Sequence, residues 1–168
     1  MNDTKSSGGG DRVNMDKDQF IESIRKNKGQ MYAVAYSMVH NHSDAEDVVQ
    51  DALLNAYKKL HTLKDDQKFL SWMMQIIVNQ SKMYIRKNAK LQYLDDMDGE
   101  KEQLKNQEDD TIWDSVMALK SEFSTVIILY YADGYKVKEI SEIMGIPEGT
   151  VKSRLAKARE LLKKELEE

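Results

Sequence analysis

Apolar residues recur along this chain at spacings of three and four, and no alternating pattern of the kind a strand needs runs to useful length. From about Asp16, Phe20, Ile21 and Ile24, followed by Met31, Val34, Ala35, Met38 and Val39, form helical stripes with an expected break near Lys28 and Gly29. Asn41, His42 and Ser43 interrupt the pattern. Ser43 with Glu46 reads as an S-x-x-E capping box opening a second helix, which carries Val48, Val49, Ala52, Leu53, Ala56, Tyr57 and Leu60 on its apolar side. Asp44, Glu46 and Asp47 crowd its first turn, where the helix dipole favours anions. After a polar loop over 61–68, a third helix begins near Phe69 with Leu70, Met73, Met74, Ile76, Ile77, Tyr84 and Ile85. It ends on Lys82, Arg86, Lys87 and Lys90 with no acid among them.

Beyond this basic end the charge reverses. Eight acids stand between 95 and 110 against Lys101 and Lys105, with Met97 and Leu104 as the only large apolar residues, the composition of a linker. Helical spacing resumes at Ile112 and Trp113, continues through Val116, Met117 and Leu119, and reappears over 123–131 before Asp133 and Gly134. Two short helices around a glycine turn follow. Val137, Ile140, Ile143 and Met144 mark the inner side of the first; Gly145 stops it; Pro147, the one proline of the chain, stands at the start of the second. The second helix has Val151, Leu155, Ala158 and Leu162 inside, and outside it shows Lys152, Arg154, Lys157, Arg159, Lys163 and Lys164 against Glu148 and Glu160. The expected fold is all-α, with two small helical domains at 15–92 and 112–168, an acidic flexible linker at 93–111 and a disordered tail at 1–14.

Net charge changes the weight given to that last helix. The chain carries a formal charge of -4, so a concentrated basic face needs a local reason. A helix-turn-helix supplies one: the second helix enters the major groove, its early residues meet base edges and its cations meet phosphates. A Lys-rich face on an isolated helix would be no more than a solvated face; the preceding helix and the glycine turn tip the balance. The absence of cysteine excludes a disulfide framework and a thiolate zinc site. His40 and His42 lie beside acids but straddle a loop without an i, i+4 ligand pair, so no metal site is expected, and no other cofactor is implied. No apolar run approaches the ~18 residues of a membrane span, and a cytoplasmic protein is expected. Glycine-rich phosphate loops after a strand, HExxH and G-x-S-x-G are missing, so catalysis and a small-molecule substrate are not expected.

Three segments resemble a sigma factor of bacterial RNA polymerase, of the sigma-70 family and its compact extracytoplasmic function class (group 4), which keeps only the domains called sigma-2 and sigma-4. DAEDVVQD at 44–51 is similar to the family's D-A-E-D-hydrophobic-V-Q-E stretch, FLSWM at 69–73 to its F-x-x-W-L, and GIPEGTVKSRL at 145–155 to its G-I-P-x-G-T-V-K-S-R-L, in the family's order. The resemblance implies that Asp44, Asp47, Gln50 and Asp51 grip the β′ subunit of core polymerase, with β as a further contact. It implies that the minus-10 element is read as melted single strand by Lys64, Asp65, Asp66 and Gln67 of the loop and by Asn79, Lys82, Arg86 and Lys87 of the helix after it. Flipped bases need a pocket, and cations hold the strand beside it. It implies that Thr150, Lys152, Ser153, Arg154, Ala156 and Lys157 bind the minus-35 element as duplex. Phe69 and Trp72 match family positions, yet aromatics at helical spacing usually pack, and Trp72 is expected to do so. Promoter DNA and an anti-sigma factor, membrane-anchored in many relatives, are the other partners implied. The rival reading is a stand-alone helix-turn-helix regulator, which would have no need of the helices at 44–60 and 69–90.

Overall fold

The structure, a computed structural model, describes residues 15–92 and 112–168. The tail and the acidic linker read from the sequence lie outside the described residues. Among the described residues there are seven α-helices: α1 (Lys17–Val39), α2 (His42–Lys59), α3 (Phe69–Gln92), α4 (Ile112–Ala118), α5 (Ser121–Ile127), α6 (Val137–Met144) and α7 (Glu148–Glu167). Two 3-10 turns, Leu60–Thr62 and Asp66–Lys68, fill the loop between α2 and α3, and α5 runs on as a π-turn, Ile128–Ala132. Among the described residues there is no strand, as the pattern predicts.

Helices α1, α2 and α3 pack on one another around Met31, Val34, Val48, Met73, Met74 and Ile77, each no more than 1% exposed. Unbranched methionine fits irregular gaps between crossing helices at little conformational cost, which suits the three fully buried here. Phe20 meets Phe69 edge-on and Tyr57 at a tilt, fastening the start of α1 to the end of α2 and the start of α3. Phe69 is buried and Trp72 half-buried against it, so both pack, as expected of Trp72. Ile85, read as part of the apolar stripe, is 41% exposed instead, because the covered face of α3 continues through Ser81, Tyr84 and Asn88 and Ile85 lies to one side of it.

Two local readings need correction. No break occurs at Lys28 and Gly29: α1 is continuous, since the ~1 kcal/mol a helical glycine costs is outweighed by buried residues on either side, Phe20 before it and Met31, Val34 and Ala35 after. The chain turns at His40, which adopts the left-handed conformation (φ 54) and donates its N–H to the Tyr36 carbonyl. Nor does a Ser43–Glu46 box start α2. Asn41 is the cap, extended, its side-chain oxygen accepting the Asp44 N–H at 2.9 Å, so Ser43 is already helical.

The second set, α4 to α7, is built on Val126, Ile127, Ile128, Leu129, Ile140, Val151, Leu155 and Ala158. Gly145 ends α6 in the left-handed conformation at φ 66, with its N–H and that of Ile146 both returning to the Ser141 carbonyl. The inner face read for α7 is the buried one, residue for residue: Val151, Leu155, Ala158 and Leu162. The two sets are not apart. α1 packs on α5 and α3 on α6, and the buried apolar residues form one cluster through both.

Candidate polymerase and nucleic-acid interfaces

Because α7 buries four residues at positions 151, 155, 158 and 162, the side chains half a turn away must face outward. Lys152, Ser153, Ala156 and Lys157 are exposed there, with Glu160 beside them. Ser153 Oγ donates to the Thr150 carbonyl at 3.0 Å and Lys157 Nζ lies 3.2 Å from Glu160, both tied within the helix itself. Of the six residues expected at the minus-35 element, Thr150 and Arg154 sit apart from these four, on the half-buried edge. Arg154 reaches back 4.0 Å to Glu122 on α5. On the opposite edge Arg159, not among the expected residues, donates its Nε–H to Tyr131 Oη at 2.7 Å and lies over the Tyr130 and Tyr131 rings. Its place among the outer cations was visible in sequence; the tyrosine clamp was not, because it depends on the π-turn that follows α5.

On the other set, three of the residues expected at polymerase share a groove with Arg86 and Lys87, two of those expected at the minus-10 strand. It encloses about 580 Å³ between α2 and α3, with Asp47, Gln50 and Asp51 on one wall and Gln80, Met83, Tyr84, Arg86, Lys87 and Lys90 on the other. Asp44 stands at its edge in another role: the Tyr84 hydroxyl donates to its carboxylate. Burial first, and then that bond, hold the Tyr84 hydroxyl above its ordinary pKa. Asn79, Lys82 and Arg86 follow each other at i, i+3, i+7 and so lie on one stripe of α3, whose Arg86 lines the groove together with Lys87. In the loop, Lys64 and Gln67 are exposed, but two carboxylates are engaged in shaping it. Asp65 accepts the Gln67 N–H at 3.0 Å, and Asp66 accepts the Met15 N–H at 3.2 Å, pinning the start of α1.

Lys82 makes the least expected contact. Its ammonium donates to the Met144 carbonyl, the last of α6, at 2.6 Å. Burial, and then the nearby cations Arg86 and Arg154, push its pKa down.

Asp133, at the end of the π-turn, and Tyr135 carry buried oxygens without a hydrogen-bond partner among the described residues. Burial raises Asp133 from its ordinary 3.8 to about 6, and raises the Tyr135 hydroxyl, with Asp133 and Glu139 adding to the effect. Since the folded carboxyl keeps its proton to higher pH than the unfolded one, stability falls as pH rises from about 4 to about 6 and stays lower above that. Asp133→Asn is therefore expected to stabilise the protein at pH 7.5 by on the order of 1 kcal/mol, solvent screening being allowed for, and to give no gain at pH 4. Thermal unfolding of both proteins across this range checks it; a gain independent of pH would count against the ionised carboxylate as cause.

Comparison with known proteins bears on the family and the fold. The family described as Sigma-70 region 2 matches residues 23–91, and Sigma-70, region 4 matches residues 110–162. The ECF RNA polymerase sigma factor SigW of Bacillus subtilis (strain 168) is 32% identical over 169 residues, covering 90% of this chain and 90% of that protein. SigV of the same organism is 30% identical over 149 residues, covering 87% and 90%. Among solved structures, the sigma factor RpoE from Bartonella quintana, crystallised with the anti-sigma factor NepR, superposes with a TM-score of 0.73 at 24% identity over 88% of this chain and 96% of that one. CnrH in complex with the cytosolic domain of CnrY superposes with a TM-score of 0.63 at 20% identity over 90% of each chain.

Proposed function

Because the chain belongs to the sigma-70 family, in the extracytoplasmic function class of alternative sigma factors that direct promoter-specific transcription initiation, we propose a division of labour between its two halves. Residues 15–92 hold core polymerase through Asp47, Gln50 and Asp51 and the melted minus-10 strand through the loop residues Lys64 and Gln67 and the stripe Asn79, Lys82 and Arg86, with Lys87 beside it. Residues 93–111 tether them to 112–168, whose α7 lies in the major groove at minus-35. The observation that carries this reading is the outer face of α7, where Lys152, Ser153, Ala156 and Lys157 stand exposed directly after a glycine turn. Lysines there meet phosphate as mobile point charges, while a hydroxyl and a methyl-sized side chain suit base edges. Arg159, held by Tyr131, adds a phosphate contact at low ordering cost.

An anti-sigma factor completes the set of partners. One structure of this fold was determined with an anti-sigma factor bound and another with the cytosolic domain of a partner protein, and we extend the first class of partner to this chain. Among the described residues no helix is long and apolar enough to cross a membrane; we place the chain in the cytoplasm with polymerase and DNA, and any membrane anchor on the anti-sigma side.

The test is transcription in vitro with bacterial core polymerase on a fragmented genomic library, with and without the chain. Discrete new transcripts are expected. Lys152→Ala with Lys157→Ala is expected to reduce them about tenfold or more and to lower the salt dependence of promoter binding by roughly one ion per lysine. Unchanged transcripts would remove α7 from the duplex. No binding to core, with retardation of particular duplexes by the chain unaided, would put a stand-alone regulator in place of the sigma factor.

A further inference from the structure

The outermost line of α7 is small and neutral until it reaches an acid. Gly149, Ser153, Ala156 and Glu160 recur at i, i+4, i+7 and i+11, and all four are exposed. A Cβ at Gly149 would meet nothing within 4 Å, so packing within the chain does not demand a glycine there. Lysines border the line on both sides, Lys152 and Lys163 along one, Lys157 and Lys164 along the other. Small side chains that let a helix sink toward base edges, between two rows of cations that meet phosphates, suit a major groove. A carboxylate on the same line does not, because it faces a polyanion.

The partner of Glu160 shows what the carboxylate does. Lys157 Nζ lies 3.2 Å from Glu160 Oε1. An ion pair whose side chains are both half exposed adds little to the stability of a helix. It does give Lys157 a carboxylate in place of a phosphate. Lys152 and Lys157 stand on opposite sides of the line and so address opposite walls of a groove; holding Lys157 back leaves the early turns of α7 gripping one wall. Arg154 and Lys163 also have acids near them, Glu122 at 4.0 Å and Glu167 at 3.9 Å. Those acids belong to α5 and to the last turn of α7, whereas Glu160 comes one turn after Ala156.

We propose that Glu160 is a specificity residue of the minus-35 contact. It competes with DNA phosphate for Lys157, so that this lysine closes on the backbone only where Ser153 and Ala156 have already fixed α7 against a matching sequence. On any other duplex Lys157 stays with Glu160, and the carboxylate is repelled by the phosphates. Non-specific binding is essentially all electrostatic, so a cation withheld and an anion added weigh more heavily on it than on a complex that also has base contacts. This rests on the sigma-factor reading above, because that reading lays α7 in the groove.

The test compares Glu160→Gln, which keeps the shape and removes the charge, with the wild-type full chain. Two duplexes of equal length are used, a promoter fragment recovered by transcription with core polymerase and a scrambled version of it. A slope of about −0.9 per phosphate makes one contact worth roughly eightfold between 1 M and 0.1 M salt. On the scrambled duplex the variant is therefore expected to bind about five- to tenfold more tightly than wild type at 0.1 M salt, with a salt dependence steeper by about one ion. On the promoter fragment the gain is expected to stay within about twofold, so that the ratio of the two affinities falls. If the pair served only to support the helix, the variant would bind both duplexes equally well or more weakly than wild type. Either result overturns the proposal, as does a gain of the same size on both duplexes. If the wild-type chain directs no transcription, no promoter fragment is recovered, and the sigma reading falls and takes this consequence with it, a result distinct from the others.

Discussion

Changing Asp47 and Asp51 together to lysine is expected to lower affinity for core polymerase about a hundredfold or more while leaving the fold in place. Both carboxylates are exposed on α2, four residues apart and therefore one above the other on the helix. The end of the helix is capped by Asn41, so neither is needed there. Surface changes of this kind stay within about 0.5 kcal/mol in stability. At an interface the balance differs, because each reversed carboxylate strands a cation of the partner, and losing one partner of a buried charge pair costs about 2–5 kcal/mol. Two such losses, even if only partly additive, exceed the roughly 2.7 kcal/mol of a hundredfold effect. Asp44→Ala makes the contrast. It removes the acceptor of the Tyr84 hydroxyl, so its lesion should appear as a lower melting temperature before it appears in binding. Fluorescence anisotropy of labelled protein with core polymerase reads the affinity. A double variant that binds core within twofold of wild type would detach this wall of the groove from polymerase.

How far the sequence foretold the molecule depended on where its information lay. The inner face of α7 follows from periodicity because four apolar residues at helical spacing have one way to be buried, and all four are. The start of α2 did not follow. Asn41, Ser43 and Asp44 are all good caps, and which one adopts the extended conformation is decided by where α1 stops, which in turn rests on His40 turning left-handed at a position where glycine would have announced itself. Gly29 misled in the opposite sense, since local propensity is a small term beside the burial of Phe20 and Met31 on the same helix. Of the candidate site, the sequence made exposure legible and the contacts not. Exposed positions on α2 and α7 follow from the helix period. That Lys82 would be occupied by a carbonyl 62 residues away, Asp66 by the backbone of Met15, and Arg154 by Glu122 are long-range facts that no local pattern encodes. The hydroxyl face that α5 turns to the end of α1 was present in the sequence as Ser121, Ser124 and Thr125 at i, i+3, i+4 within an otherwise apolar stretch. It went unread because isolated serines and threonines in a helix ordinarily bond their own backbone.

Ile140→Ala should have the largest effect on stability, for a reason that belongs to α6 as a whole. That helix is eight residues long, too short to persist in water without support, so its existence depends on Ile140, Ile143 and Met144 being buried. Ile140 is fully buried, and its helix packs on both α7 and α3. Truncation removes apolar contact and leaves a cavity between three helices, at a cost of about 2–5 kcal/mol, a large part of the roughly 5–15 kcal/mol that holds such a protein together. At about 2–4 °C per kcal/mol for a chain of this size, the melting temperature should fall by roughly 5–20 °C. Glu142→Ala, exposed on the same helix, should change it by no more than about 2 °C. The form of the transition carries as much information as its midpoint. With the halves docked through the seam between α1 and α5 and between α3 and α6, loss of α6 also removes the Met144 carbonyl that holds Lys82, so the two halves should unfold in one transition in the wild type and in two in Ile140→Ala. Differential scanning calorimetry distinguishes these cases. Two separate transitions already present in the wild type would mean that each half is stable without the other and that the docking between them adds little to either.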